Sequence, residues 1–336
     1  MAEPSQRSTA RPDRPAVSAP PIRPDAMPPP ARPTSAHKAA ARAQLFASGA
    51  LFGLMAALAR LATRAGGGGF TAAQLTTLRF VVGIGMTLAL FHLRPGTFRP
   101  VRRGLLVARG LQGGLAVLLY FVALARIPAG QATLLNNLFP VFAVGISIFT
   151  LGERPTIHLA LALALVSVAV GLIVVPGSGA LGLDAGVLAG VASAVLGGGA
   201  VAAIRALRPT DNAPTIFFSF CVGGLLCALP FSGGAWPSDP RLWALALAVG
   251  VLSFFAQILM THAYGVFTVA EAALWQQLTP AASFLWALLI LDERLSPWAL
   301  GGIVLGGCGV VYGSVLGHRP AAGGAPGPVV EPVEPG

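Results

Sequence analysis

The feature that most restricts the fold of this chain is a series of long apolar segments. We count about ten of them, each near the 20 residues that an α-helix needs to cross the hydrocarbon core of a bilayer. They are 45–64, 72–91, 104–125, 129–150, 157–176, 185–204, 214–232, 242–263, 268–290 and 298–317. Their length excludes the roughly 10-residue alternating strands of a membrane β-barrel. We therefore predict an all-α integral membrane protein with ten transmembrane helices.

Composition and charge place the chain in a bilayer rather than on nucleic acid. It is 55% hydrophobic and 10% charged, which a water-soluble domain of 336 residues does not tolerate on its surface. The net charge of +10 would suggest a nucleic-acid partner in a soluble protein. Most basic residues instead fall in connections on one side of the predicted helices, as the positive-inside rule expects. We predict a multi-pass protein of the inner (plasma) membrane with both termini cytoplasmic and no nucleic-acid partner.

The chain also contains an internal repeat with a constant offset between its two copies. Residues 131–140 read QATLLNNLFP and residues 271–280 read EAALWQQLTP, while LGER at 151–154 returns as LDER at 291–294. The offset maps five spans onto five, so the second copy must cross the membrane in the opposite sense. Inverted repeats are a recurring design of secondary transporters, which bind substrate near the midplane between the repeats.

This organisation predicts two five-helix repeats between polar tails. The repeats cover 43–178 and 183–317. The flanking segments 1–42 and 318–336 are rich in proline with few large apolar side chains. Such segments cannot bury enough surface to order themselves, and we predict disordered cytoplasmic tails.

The ordered double set of motifs resembles the EamA-type repeat of the drug/metabolite transporter superfamily. In each copy a helix with a central proline closes on the Leu-Gly-Glu-Arg or Leu-Asp-Glu-Arg turn, and a helix of Gly, Ala and Val follows it, within 123–175 and 263–315. The Arg79-Phe80 pair of the second span is also similar to that family. The resemblance implies ten helices, cytoplasmic termini and the movement of small organic solutes, often export.

We therefore expect a secondary transporter of small polar or amphipathic metabolites, such as amino acids or related organic solutes, that works by alternating access. Two alternatives stay open: a flippase or accessory subunit for lipid-linked sugars, and a membrane-embedded enzyme that modifies lipids. The enzyme would need clustered acids or a metal site, whereas Cys221, Cys227 and Cys308 lack metal-ligand spacing. We predict no metal and no cofactor, and the sequence leaves a homodimer open.

The constant offset between the two copies of the repeat indicates a first set of candidate substrate-binding residues. Two amide pairs lie three and four positions before a proline in the middle of a span. They are Asn136 and Asn137 before Pro140, and Gln276 and Gln277 before Pro280. A proline inside a helix kinks it and frees the carbonyl four residues earlier, which leaves polar groups deep in the hydrocarbon. The amides either bind a polar solute or satisfy these carbonyls and each other.

A second set of candidates consists of other polar and aromatic residues within spans. Arg79 has no acidic neighbour at its depth, which favours an anionic substrate group unless its side chain extends to the interface. Further candidates for the lining of a substrate cavity are Tyr120, Trp275, Trp286, Gln257 and Gln112. Arg109, close to the start of the third span, is interpreted as an interfacial anchor.

Two titratable residues are candidates for proton coupling. Glu271 is the carboxylate within a predicted span, and His262 precedes the same turn. The alternative for Glu271 is structural, since Thr268 and Glu271 have the spacing of a capping box.

Overall fold

The computed structural model describes residues 35–64, 68–152, 156–174, 185–276, 278–291 and 297–316. These residues form helices and short connections, and none of them lies in a strand. In chain order the helices are α1 (Ser35–Arg64), α2 (Ala72–Leu93), α3 (Arg103–Arg126), α4 (Ala129–Asn136), α5 (Phe139–Leu151), α6 (Ile157–Val174), α7 (Ala185–Leu207), α8 (Ala213–Ala228), α9 (Pro240–Ala263), α10 (Val269–Gln276), α11 (Leu278–Leu291) and α12 (Pro297–Leu316). A short 3-10 helix, Leu229–Phe231, follows α8.

The all-α membrane class is confirmed in this described part of the chain. Seven helical segments are long and apolar enough to cross a membrane, and shorter apolar segments lie in α5, α6 and α12. The protein is therefore a multi-pass membrane protein. One boundary differs from the prediction, since α1 already begins at Ser35 within the segment expected to be a disordered tail. Residues 35–42 are rich in alanine, lysine and arginine, which favour helix and extend α1 beyond its apolar part.

Two predicted spans are each divided into two helices. The segment 129–150 forms α4 and α5, which are separated by a turn at Asn137 and Leu138. Pro140 is the second residue of α5, a position where a helix has no use for the missing N–H, so the residue starts a helix instead of kinking one. In the second repeat α10 ends at Gln276 and Pro280 is the third residue of α11, whereas Gln277 lies outside the described residues.

The helices of the two halves are interleaved. α1 packs mainly on α9 and α11, and its counterpart in the second repeat, α7, packs mainly on α3 and α5. Likewise α2 contacts α8 and α9, and its counterpart α8 contacts α2 and α3. When the halves are exchanged, the α2–α8 contact maps onto itself and each of the others maps onto another, as a two-fold relation between repeats requires.

Glycines allow the closest of these crossings. A Cβ added at Gly223 of α8 would lie 2.4 Å from the backbone carbonyl carbon of Gly110 in α3, and one added at Gly114 would lie 2.3 Å from the Cα of Gly224. Small residues at a membrane helix crossing let the two backbones approach and pack without polar side chains. The α3–α8 crossing fixes two helices that contribute to the site described below.

Connections from the two halves also meet at both ends of the helices. After α7, the buried Asp211 carboxylate accepts hydrogen bonds from the backbone N–H groups of Val101 (2.8 Å) and Arg102 (3.4 Å) before α3. At the opposite end of α2, the Gln74 side chain donates to the carbonyl of Ala235 at 3.1 Å. The halves are therefore tied together by a carboxylate at one end and by an amide at the other.

Candidate functional site

A cavity of about 120 Å³ lies among the helices of both halves. α1 to α5 contribute to its wall from the first half and α7 to α11 from the second. None of the described lining residues belongs to α6 or α12. The lining residues are Phe52, Met55, Arg79, Arg109, Gly113, Ala116, Val117, Tyr120, Thr133, Asn136, Asn137, Phe139, Gly197, Ala200, Val201, Phe220, Gln257, Met260, Gln276 and Thr279. The wall is mostly apolar with a few polar groups, which is the usual composition of a small-molecule site.

The break between α4 and α5 places two amides at the cavity. Asn137 caps α4, since its backbone N–H and its side-chain Nδ2 both donate to the carbonyl of Thr133, at 2.8 and 2.7 Å. Asn136 is bound across the halves, because the Ser193 hydroxyl of α7 lies 2.7 Å from its Oδ1. Its Nδ2 has no hydrogen-bond partner among the described residues. Asn137 therefore has a structural role at the end of α4, and substrate binding by Asn136 stays a prediction.

The second half presents amides from two helices. Gln276, at the end of α10, is 2% exposed, and its Oε1 lies 3.4 Å from the Thr279 hydroxyl. Gln257 of α9 is buried and has no hydrogen-bond partner among the residues described. In the first half, by contrast, the Tyr120 and Thr133 hydroxyls satisfy each other at 2.8 Å. The amides of Gln257 and Gln276, together with the hydrogen-bonded hydroxyls of Tyr120 and Thr133, give this part of the cavity an uncharged polar wall.

Arg79 lies inside the cavity instead of extending to the interface. Its side chain is 4% exposed, and its guanidinium carbon is 5.6 to 5.7 Å from the ring centroids of Phe80, Phe121 and Phe220. These rings stabilise the cation with their π faces. They do not neutralise it, which leaves the charge directed at the cavity.

The interpretation of Arg109 as an interfacial anchor is wrong. It is 3% exposed, lines the cavity and lies 4.3 Å from the Phe220 centroid. The two arginines that precede it in the sequence could have indicated this position. Arg102 and Arg103 already supply the charges at the start of α3, so a third arginine two turns further on is inside the bilayer.

Three predicted lining residues lie elsewhere. Gln112 is exposed on α3, where the cavity side of the helix is taken by Arg109, Gly113 and Ala116. Trp286 donates from its indole nitrogen to the carbonyl of Ala50 at 3.2 Å and so fastens α11 to α1. Trp275 packs against the apolar core. For each of these residues the predicted position on a cavity-facing side of the helix is wrong.

The two proton-coupling candidates also lie outside the cavity lining. Glu271 forms the capping box of α10, since its backbone N–H donates to the Thr268 hydroxyl at 3.3 Å and its Oε2 accepts from the Thr268 N–H at 3.2 Å. His262 is exposed in the last turn of α9. Coupling through either residue stays a prediction.

Comparison with known proteins agrees with this architecture. The EamA-like transporter family matches residues 44–175 and again 184–314. The pseudopaline exporter CntI of Pseudomonas aeruginosa, in strains UCBPP-PA14 and PAO1, is 30% identical over 239 residues, which cover 70% of this chain and 83% of the exporter. A solved crystal structure superposes with a TM-score of 0.69 at 22% identity, covering 83% of this chain and 98% of that one. This last likeness concerns the fold alone.

Proposed function

Because the chain belongs to the EamA-like transporter family, we propose that it exports a small polar or amphipathic metabolite through the cavity between its two halves. One observation carries the proposal: both halves contribute hydrogen-bonding groups without partners to one cavity, at or beside the helix breaks. Broken helices at membrane depth are tolerated where they line a cavity, and transporters use them to bind substrate. The likeness to the pseudopaline exporters supports export as the direction.

The membrane arrangement is part of the proposal. If α4 with α5 and α10 with α11 each count as one crossing, the twelve helices make ten spans. Five spans in each half would invert the second repeat. The excess of arginine in the connections on one side supports a cytoplasmic location of both termini at an inner membrane. Exchange of the halves then converts a cavity that faces one side into a cavity that faces the other. This is alternating access, with the site at the pseudo-two-fold axis.

Transport by the purified protein in liposomes tests the proposal. A panel of labelled amino acids, nucleosides and organic acids is assayed for uptake and efflux, with and without a pH gradient. We expect a subset to be moved, and we expect Gln257→Leu to lower that flux about tenfold, because a buried amide hydrogen bond to substrate is lost. The matched control is Gln112→Leu, which changes an exposed amide outside the cavity.

Two results would contradict the proposal. Well-folded protein that moves no member of the panel would remove the transport function. Flux that is lost in Gln112→Leu and kept in Gln257→Leu would place the route outside this cavity.

A further inference from the structure

Two guanidiniums in the cavity lack a compensating negative charge among the residues that the structure describes. The carboxylates of the described chain belong to Asp211, Asp239 and Glu271, and none of them lines the cavity. Nε and Nη1 of Arg109 are buried without a hydrogen-bond partner in the described residues. An ion removed from water costs several kcal/mol unless a counter-charge and hydrogen bonds replace its hydration. The site is therefore incomplete until an anion enters.

The two cations approach each other from opposite ends of the helix bundle. Arg79 is seven residues from the start of α2 and Arg109 six residues from the start of α3. α2 and α3 are joined by the short connection 94–102 and run antiparallel, so their first turns lie at opposite ends. Both guanidiniums contact the Phe220 ring, which limits their separation to about 10 Å. A small molecule can reach both at once.

The repeat shows that the architecture does not require these charges. At the offset of 140 residues found in the repeat, Ser219 corresponds to Arg79 and Val249 corresponds to Arg109. Val249 is completely buried in α9, the counterpart of α3. The same helix positions thus pack with neutral side chains in the second half. Arginines are buried at these two positions in the first half, whereas the second half has neutral residues there. This difference indicates that the arginines bind a ligand rather than serve the packing of the helices.

We propose that Arg79 and Arg109 form one anion site and that the exported metabolite is a small organic dianion. This inference rests on the proposed function and adds the substrate class to it. Each planar guanidinium binds a carboxylate or phosphate group through paired N–H donors. Gln257 and Asn136 bind neutral polar parts of the same molecule, and the apolar lining contacts its carbon chain. Two bound negative charges neutralise the two cations and complete the site.

Ligand-induced stabilisation of the detergent-solubilised full chain tests the assignment. The probes are succinate, inorganic phosphate and succinamide, the neutral diamide of succinate. We expect a dianion to raise the unfolding temperature in a saturable manner and succinamide to have no effect. The comparison of succinate with phosphate identifies which acidic group the site prefers.

Variants of the two arginines assign the effect to the site. Arg79→Gln and Arg109→Gln should each weaken dianion binding by about tenfold or more, because each removes a charge-assisted pair of hydrogen bonds. Arg241→Gln is the control, since Arg241 is exposed at the start of α9 and its loss changes the net charge equally. Without ligand, Arg109→Gln should unfold at the same or a higher temperature, because it removes an uncompensated buried charge. Arg109→Val copies the second-half counterpart and provides an independent folded variant.

The outcomes separate this proposal from the transport proposal. Equal effects of succinate and succinamide, or dianion binding that survives both arginine substitutions, would overturn the anion site. The anion site would also be overturned if Arg109→Gln and Arg109→Val were both unfolded in the absence of ligand, because a structural role would then explain the buried arginine. Transport of neutral solutes without dianion binding would overturn the substrate class and leave the carrier in place.

Discussion

The guanidinium of Arg109 occupies the space that a side chain at residue 113 would fill. A Cβ added to Gly113 would lie 1.8 Å from Nη1 of Arg109 and 3.0 Å from the Phe220 ring. The first of these atoms is the far end of a flexible side chain, whereas the ring lies in a buried cluster and moves less easily. Gly113 therefore determines where the Arg109 charge lies in the cavity.

Gly113→Ala should displace the Arg109 guanidinium and weaken dianion binding severalfold, because a charge-assisted hydrogen bond loses strength when its geometry is poor. Isothermal titration with succinate measures the change. Gly104→Ala is a control on the same helix, since a Cβ there meets nothing within 4 Å. Equal affinities in the two variants would contradict the geometry described for Arg109.

Single residues also show where the sequence was informative. The repeat pointed to Asn136 and Gln276, and a charge within a span pointed to Arg79; all three line the cavity. Arg109 was missed because the start of the third span was set by hydropathy, which does not distinguish an anchor from a buried charge two turns inside. The facing of Gln112 and Trp286 depends on helix rotation, which tertiary packing decides and the weak periodicity of an all-apolar helix does not reveal.

At the scale of the elements, the breaks of the two spans matter most. A proline lies within each of these two predicted spans, and the sequence pattern predicted that it would kink a continuous helix. The chain forms two helices instead, because Asn137 ends α4 and Pro140 suits the first turn of α5. The rotation between α4 and α5 then depends on the turn at Asn137 and Leu138, whose conformation the sequence pattern did not define.

The capping boxes at the starts of α10 and α2 lead to a prediction for Glu271. Thr268 with Glu271 at α10 matches Thr71 with Gln74 at α2, where a glutamine completes the capping box through a 3.0 Å bond from the Thr71 N–H to its Oε1. Glu271→Gln should therefore change the unfolding free energy by less than about 0.5 kcal/mol in chemical denaturation. If Glu271 carries the coupling proton, the same stable variant loses gradient-driven flux and keeps exchange flux. Unchanged gradient-driven flux would exclude Glu271 from coupling.

At the scale of the whole molecule, the halves are interleaved and share one set of exchangeable contacts. The all-α class and the two repeats followed from hydropathy and from the constant offset between the copies. The interleaving did not, because a linear repeat does not state which copy each helix packs against. The ties at the two ends also differ, with Asp211 at one end and Gln74 at the other. The proposed alternating access requires that one of these ties breaks while the other is kept.

In the proposed mechanism, one cavity between the halves faces the two sides of the membrane in turn. Ala116 lies in its wall and is 5% exposed, so Ala116→Cys, in a chain with Cys221, Cys227 and Cys308 replaced by alanine, reports access to it. The measurement is labelling by a membrane-impermeant maleimide in right-side-out and in inverted vesicles. Alternating access predicts labelling from both sides, and slower labelling when the transported solute is present. Labelling from one side alone, with and without solute and under either gradient, would contradict alternating access through this cavity.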